Sequence, residues 1–309
     1  MRKPKHDTIK KVGITDKLYH RMDMPEDYHG KDIVIGEWLG EVYHTPTDQY
    51  YTQSTRRQYY YPEEKPEGGF DKHICPGHWS GYRWAVQNFT KPGDYILDPT
   101  VGTGTAVVEA INHGRNAIGI ELEFSEITKR TIQVQYDRKE NPATGVGTII
   151  EGDARDLEEH VGPGEFDMVI NGTPYPVLGS GQADSPERGY NSKTKGSENI
   201  YYQKDKNVGV LKGQVYWDTI LDIYAAAIEK LKPGGKFITL IKDPTQNKEP
   251  YLLHQMVAEM LMANLSVKPY GTFIHKHLPY TIFMNTYPKQ WPEAKQIPLY
   301  QTGTVLEKY

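Results

Sequence analysis

"YILDPTVGTGTAVVEA", Tyr95 to Ala110, decides how the chain is read. Tyr-Ile-Leu-Asp reads as a short buried strand, and Gly-Thr-Ala-Val-Val-Glu-Ala as the opening of a helix. Between them, Gly102 and Gly104 allow a tight turn and a close approach of backbone to a ligand. The helix start offers unpaired N–H groups. Three ligand classes compete for such a loop. A phosphate-cradling P-loop needs Gly-Lys-Ser/Thr, and Thr105-Ala106 does not supply it. A dinucleotide fingerprint needs a third Gly or Ala three places beyond Gly104, where Val107 stands. An Asp ahead of the glycines, with no third glycine, suits a cationic, phosphate-free ligand such as S-adenosylmethionine.

Strands and helices alternate outward from this loop. The pattern predicts a helix over 79–89, a strand at 116–121 and a helix over 124–138. A third strand falls within 147–154 and a fourth at 166–170. After an irregular stretch come a helix over 216–231 closed by Lys-Pro-Gly-Gly, a strand at 236–241 and a helix over 252–264. "SVKPYGTFIH" and "PYTIFMNTY" (279–287) read as a terminal antiparallel hairpin joined by Lys-His-Leu. The expected fold is α/β, a mixed sheet of about seven strands with right-handed crossovers. Two further acids support the ligand reading. Glu121 ends the second strand, where a carboxylate can accept both hydroxyls of a ribose. Asp153 ends the third, where it can meet an adenine amino group. Each alone is an ordinary cap or surface residue. Together with Asp98 they line the edge where α/β sheets bind ligands.

The stretch 89–123 resembles the cofactor half of the amino-group DNA methyltransferases, which act on adenine N6 or cytosine N4. The family pattern Asp-Pro-Phe-x-Gly-x-Gly-Thr, then Gly-Arg, then Ile-Gly-Ile-Glu, is matched at 98–105, 114–115 and 118–121, with Thr100 in place of Phe. The resemblance implies a Rossmann-like methyltransferase fold. It implies that Asp98, Gly102, Gly104 and Glu121 hold S-adenosyl-L-methionine, and Thr100 and Asp153 complete the expected cofactor set. "HICPGHWSGYRW" (73–84) sits where the family touches the methionine end of that cofactor, through His73 and Pro76.

"FDMVINGTPYPVLG", Phe166 to Gly179, is a buried strand running into a rigid loop. The family ends this strand in Asp, Asn or Ser, then Pro-Pro-aromatic. The chemistry asks for those residues. An exocyclic amine is a poor nucleophile because its lone pair is delocalised into the ring. Accepting its two N–H bonds, from a side-chain oxygen and a main-chain carbonyl, localises that pair, and proline preorganises the acceptors. The aromatic ring stacks on a base flipped from the duplex. Here Tyr175 keeps the ring and Pro174 the second proline, but Gly172 stands at the acceptor position and Thr173 at the first proline. The carbonyl of Thr173 can serve as the main-chain acceptor. Asn171, one residue early, is the favoured side-chain acceptor, and Thr173 Oγ1 the second candidate. The catalytic set is therefore Asn171, Thr173, Pro174 and Tyr175.

Residues 1–72 read as a Tyr-rich extension and 73–309 as the methyltransferase domain. Within it, 177–214 is an insertion with basic residues and interleaved tyrosines, expected to be a target-recognition loop against DNA. The alternatives are an RNA substrate, or an inactive partner subunit that keeps the fold and binds nucleic acid. The net charge of −4 over 309 residues leaves any nucleic-acid contact to local basic patches. The excess of tyrosine, 23 residues, suits surfaces that meet bases. One cysteine, Cys75, excludes internal disulfides and a Cys-based zinc cluster, so no metal is expected. No apolar run spans a membrane, no signal peptide is read at the start, and a cytoplasmic location is expected.

Overall fold

The computed structural model describes residues 19–22, 33–36, 41–44, 79–162, 166–174, 207–211, 213–241, 245–246, 249–250, 253–276 and 300–309. The N-terminal extension and the 177–214 insertion fall largely outside the described residues.

The eight strands of the main sheet are β1 (Glu41–His44), β2 (Tyr95–Asp98), β3 (Asn116–Glu121), β4 (Gly147–Glu151), β5 (Phe166–Asn171), β6 (Leu231–Ile241), β7 (Val267–Lys276) and β8 (Tyr300–Lys308). Across the sheet they run β1-β7-β8-β6-β5-β2-β3-β4. From β6 to β4 every pairing is parallel, whereas β8 is antiparallel to both β6 and β7. The helices are α1 (Trp79–Phe89), α2 (Thr105–Asn112), α3 (Ser125–Tyr136), α4 (Leu157–His160), α5 (Gly213–Glu229) and α6 (Leu253–Asn264). This is the mixed Rossmann-like methyltransferase sheet that the motif order implies, with one more strand than expected. The addition is β1, parallel to β7 at its outer edge.

The pleat explains the two cores. Leu97, Val169 and Phe237 point to one side, where Tyr224, Leu253 and Val257 of α5 and α6 close over them. Ile96, Met168, Ile170 and Ile238 point to the other, against Tyr82, Val86, Val107 and Ile111 of α1 and α2. Alternate residues of one strand thus serve opposite layers, which is why the central strands read as unbroken apolar runs.

Two expectations need correction. The hairpin partner of β7 is Tyr300–Lys308, not 279–287, which lies outside the described residues. Both segments alternate in a strand-like way; the chosen one sets Gly303 opposite Phe273. Phe273 is fully buried and packs on Trp84 at 4.8 Å between ring centroids. The Lys-Pro-Gly-Gly turn, for its part, is not a separate connection. It is absorbed at the start of β6 as a break in register, Phe166 facing Leu231 and Met168 facing Lys236. Lys232 still anchors it, donating to Asp167 Oδ1 at 2.7 Å.

The end of α2 matches its sequence signal. Gly114 adopts φ +77° and stops the helix. Arg115 then turns inward and donates to Thr90 Oγ1 at 3.0 Å and to the carbonyls of Thr90 and His113, both at 2.6 Å. This clamps the start of β3 to the turn that leads into β2.

A Cβ at Gly303 would run into the Phe273 ring. We expect Gly303→Ala to cost about 1–3 kcal/mol through overpacking, read as a lower denaturant midpoint with native-like helical circular dichroism retained.

Candidate active site

The cofactor loop is built by local geometry. Asp98 ends β2, and its Oδ1 accepts from the Thr100 N–H at 3.0 Å, turning the chain off the sheet. Val101 N–H then donates to the Ile120 carbonyl at 3.0 Å, so the loop is stitched to β3. Gly102 and Gly104 adopt φ +55° and +90°, the left-handed region that favours glycine. Gly104 is also the residue that caps α2. Its hydrogen faces Thr128 of α3, whose Cγ2 would lie 2.7 Å from any Cβ there. The Thr128 hydroxyl donates to the Gly102 carbonyl at 2.6 Å and holds the turn from the far side.

Three acids stand at the carboxyl ends of β2, β3 and beyond β4, as the sequence placed them. Asp98 is 3% exposed and Glu121 7%. Burial pushes the Asp98 carboxyl up to about 8, with Glu121 adding to the rise. Glu121 is also raised, again chiefly by burial, although Oε1 accepts from the N–H groups of Glu123 and Phe124 at 2.8 and 2.9 Å. Asp153 is occupied differently. It caps a short turn through Arg155 N–H at 3.0 Å, and pairs with the Arg155 guanidinium at 2.9 and 2.5 Å. Arg155 is a site residue with no signal in the sequence beyond its charge.

The strand order brings this loop against the second one. β2 and β5 are parallel neighbours, Ile96 facing Met168 and Leu97 facing Val169. From β2 the chain winds outward through β3 to β4, then returns to the opposite side at β5. The crevice at that reversal is where open α/β sheets take ligands. Asp98 therefore lies beside the end of β5 and the Asn-Gly-Thr-Pro segment.

That segment is held from below by two tyrosines of α5. Tyr216 donates to the Pro174 carbonyl at 2.6 Å. The Tyr224 hydroxyl lies 3.0 Å from Asn171 Oδ1 and 2.8 Å from Thr173 Oγ1. The amide oxygen has no proton, so the phenol donates to it and accepts from the threonine hydroxyl. Tyr224 is fully buried, and burial raises its phenol well above the usual value. Asn171 is fully buried too, on the α5 side of the sheet. The expected displaced acceptor is thus engaged inside the protein, because strand alternation turns residue 171 away from the face that residue 172 addresses. Gly172 faces α1 instead: a Cβ there would lie 2.8 Å from the Tyr82 hydroxyl oxygen. His73, Pro76 and Tyr175 lie outside the described residues.

The strand order and this paired-loop crevice are those of the Rossmann-like methyltransferase fold. Residues 15–131 match the family model described as DNA methylase, of the N6/N4 type. The chain is 34% identical over 98 residues to Type II methyltransferase M.Cfr9I of Citrobacter freundii, a match covering 25% of this chain and 33% of that protein. It is 46% identical over 50 residues to Type II methyltransferase M2.DpnII of Streptococcus pneumoniae, covering 16% and 19%. The matched stretches thus span a third or less of those relatives. The family-model match takes in the cofactor loop and stops short of the second loop, and both relatives are type II methyltransferases. Among solved structures, TrmN from Thermus thermophilus aligns over 75% of this chain and 48% of its own, at 14% identity and a TM-score of 0.43. An rRNA methylase from Streptococcus thermophilus aligns over 76% and 98%, at 10% identity and 0.42.

The cofactor of this family is S-adenosyl-L-methionine, and the residues present fit it. Two desolvated carboxylates that resist ionisation alone call for a cation and hydroxyl donors. The glycine turn leaves backbone, not side chains, against such a ligand. Among the described residues no group of three or more His, Cys, Asp or Glu can hold a metal ion, and no helix is long and apolar enough to cross a membrane.

Two outcomes follow from the electrostatics. Asp98 is raised in the folded protein from 3.8 to about 8. The folded state therefore holds a proton that the unfolded chain loses near pH 4. Stability without ligand falls as pH rises through that window, by up to about 1.4 kcal/mol per pH unit, and levels off above pH 8. Asp98→Asn flattens this slope in denaturant titrations at successive pH values. A cationic ligand favours the ionised form, so its uptake below pH 8 releases a proton. Calorimetry in buffers of differing ionisation enthalpy reads that proton, with affinity rising toward about tenfold per pH unit below 8. Separately, Tyr224→Phe strands the Asn171 amide and should cost about 1–3 kcal/mol of stability, measured by chemical unfolding.

Proposed function

We propose that this protein transfers a methyl group from S-adenosyl-L-methionine to the exocyclic amine of adenine (N6) or cytosine (N4) in DNA. The observation that carries the reading is the pairing of β2 with β5, which sets the Asp98–Gly104 loop beside the Asn-Gly-Thr-Pro segment. The bound cofactor supplies an electrophilic methyl on a sulfonium. Asp98, Thr100, Gly102, Gly104, Glu121 and Asp153 hold that cofactor, with Asp98 and Glu121 answering its positive charge and ribose hydroxyls. His73 and Pro76 cover its methionine end.

The Thr173 carbonyl accepts one N–H of the target amine and so localises the nitrogen lone pair. Pro174 keeps that carbonyl in place by fixing its own φ, and Tyr216 braces the loop from α5. Asn171 and Thr173 position the loop through Tyr224. Tyr175 stacks on the base once it leaves the duplex. The surplus proton of the methylated amine passes to water. Alignment is most of the work, because the donor is already activated. The 177–214 insertion and the Tyr-rich 1–72 extension supply contacts to phosphates and bases.

Incubating the protein with methyl-labelled cofactor and either DNA or RNA tests the reading. Label on N6-methyladenine or N4-methylcytosine in DNA is the expected result. Label in RNA alone moves the substrate, and no label leaves a binding subunit. In the same assay we expect Tyr175→Ala to cut transfer by about 100-fold or more while calorimetric affinity for the cofactor stays within about threefold. A Tyr175→Ala variant at wild-type turnover would remove the stacking role.

A further inference from the structure

The loop lacks a side chain at Gly172, the position from which a carboxylate, amide or hydroxyl would reach the target amine. We propose that the Tyr82 hydroxyl supplies the missing oxygen and accepts the second N–H of that amine. This rests on the methyl-transfer reading above.

The geometry is specific. Pleat alternation aims residue 170 into the α1–α2 layer and residue 171 into the α5 layer, so residue 172 addresses α1 again. A Cβ built on Gly172 lies 2.8 Å from Tyr82 Oη. That is a little beyond the span from Cβ to the terminal oxygen of an Asp or Asn. The phenol oxygen therefore stands at about the reach of an Asp or Asn oxygen from 172, and it crowds any such side chain. Glycine at 172 and tyrosine at 82 are two halves of one arrangement.

The remaining oxygens of the loop are engaged elsewhere. Asn171 Oδ1 and Thr173 Oγ1 both meet Tyr224, and the Pro174 carbonyl accepts from Tyr216. Tyr82 is rigid enough for the task. It is 4% exposed and set in a core with Val86, Ile96 and Ile170. A hydroxyl carries two lone pairs and one proton, so it can serve another partner and still accept from an amine. Tyr82 takes no proton in this role; it orients the amine and helps localise its lone pair.

The test is single-turnover methyl transfer to DNA by wild-type protein, Tyr82→Phe, Gly172→Ser and the double variant, with cofactor affinity measured for each by calorimetry. Tyr82→Phe should transfer about 10–100-fold more slowly with cofactor affinity within about twofold of wild type. Gly172→Ser, crowded by the phenol, should also lose activity. Combining the two relieves the crowding and puts a hydroxyl on the loop itself at 172, and the double variant should transfer at least about tenfold faster than Tyr82→Phe. Wild-type speed in Tyr82→Phe, a parallel loss of cofactor affinity, or a double variant no faster than Tyr82→Phe each overturns the tyrosine's role. Wild-type protein that methylates no nucleic acid brings down the methyl-transfer reading itself, whereas an active wild type with a fully active Tyr82→Phe removes the tyrosine alone.

Discussion

Two residue pairings, Ile96 with Met168 and Leu97 with Val169, carry everything that follows. They are short, buried and parallel, and they join residues 72 positions apart in sequence. A slip of one residue in this register would turn Asp98 and Gly172 to the wrong faces. The apolar residues on both sides prevent the slip, since Met168 and Ile170 fit only the α1–α2 layer and Val169 only the α5 layer. Packing on both faces thus sets the position of chemistry at the strand ends.

The same sheet creates an electrostatic cost. It buries Asp98 and Glu121, and Glu121 adds to the burden on Asp98. Main-chain N–H groups from Thr100, Glu123 and Phe124 offset part of this and do not abolish it. A site built only for stability would not keep two strained acids at one sheet edge. The unrelieved part is what a cation can recover on binding, so affinity is stored in the fold as incomplete solvation. Asp153 differs because Arg155 already neutralises it.

The cofactor half was legible because its constraints are local. A strand, two positive-φ glycines and a helix leave a mark within ten residues, and acids at strand ends repeat it. The end of α2 at Gly114 was legible for the same reason. What the sequence did not disclose is set by contacts between distant segments. Two stretches read as strands that could pair with β7, and the one that does sets Gly303 against Phe273. The edge strand β1 comes from a stretch without a period, and only pairing makes it a strand. Asn171 looked available because sequence adjacency hides the two-residue alternation that separates it from Gly172. Tyr82, Tyr216 and Tyr224 read as ordinary helix-face aromatics, and nothing in the chain announces which hydroxyl meets which loop atom.

Those three tyrosines also bear on why the acceptor position is a glycine. A carboxylate at 172 would be a third acid in a crevice where Asp98 already resists ionisation. Bringing it there means desolvating another charge near two like ones, which favours its protonated form. A phenol avoids that conflict. It stays neutral when buried, as the raised Tyr224 illustrates, and its oxygen still accepts a hydrogen bond. It can also be delivered from a separate helix, so that the rigid aromatic core, not the loop, sets its position. The tyrosine excess that reads in the sequence as surface for bases is, at these three positions, a supply of neutral hydroxyls inside the protein. Neutral oxygens can sit beside buried acids at a lower desolvation cost than further carboxylates.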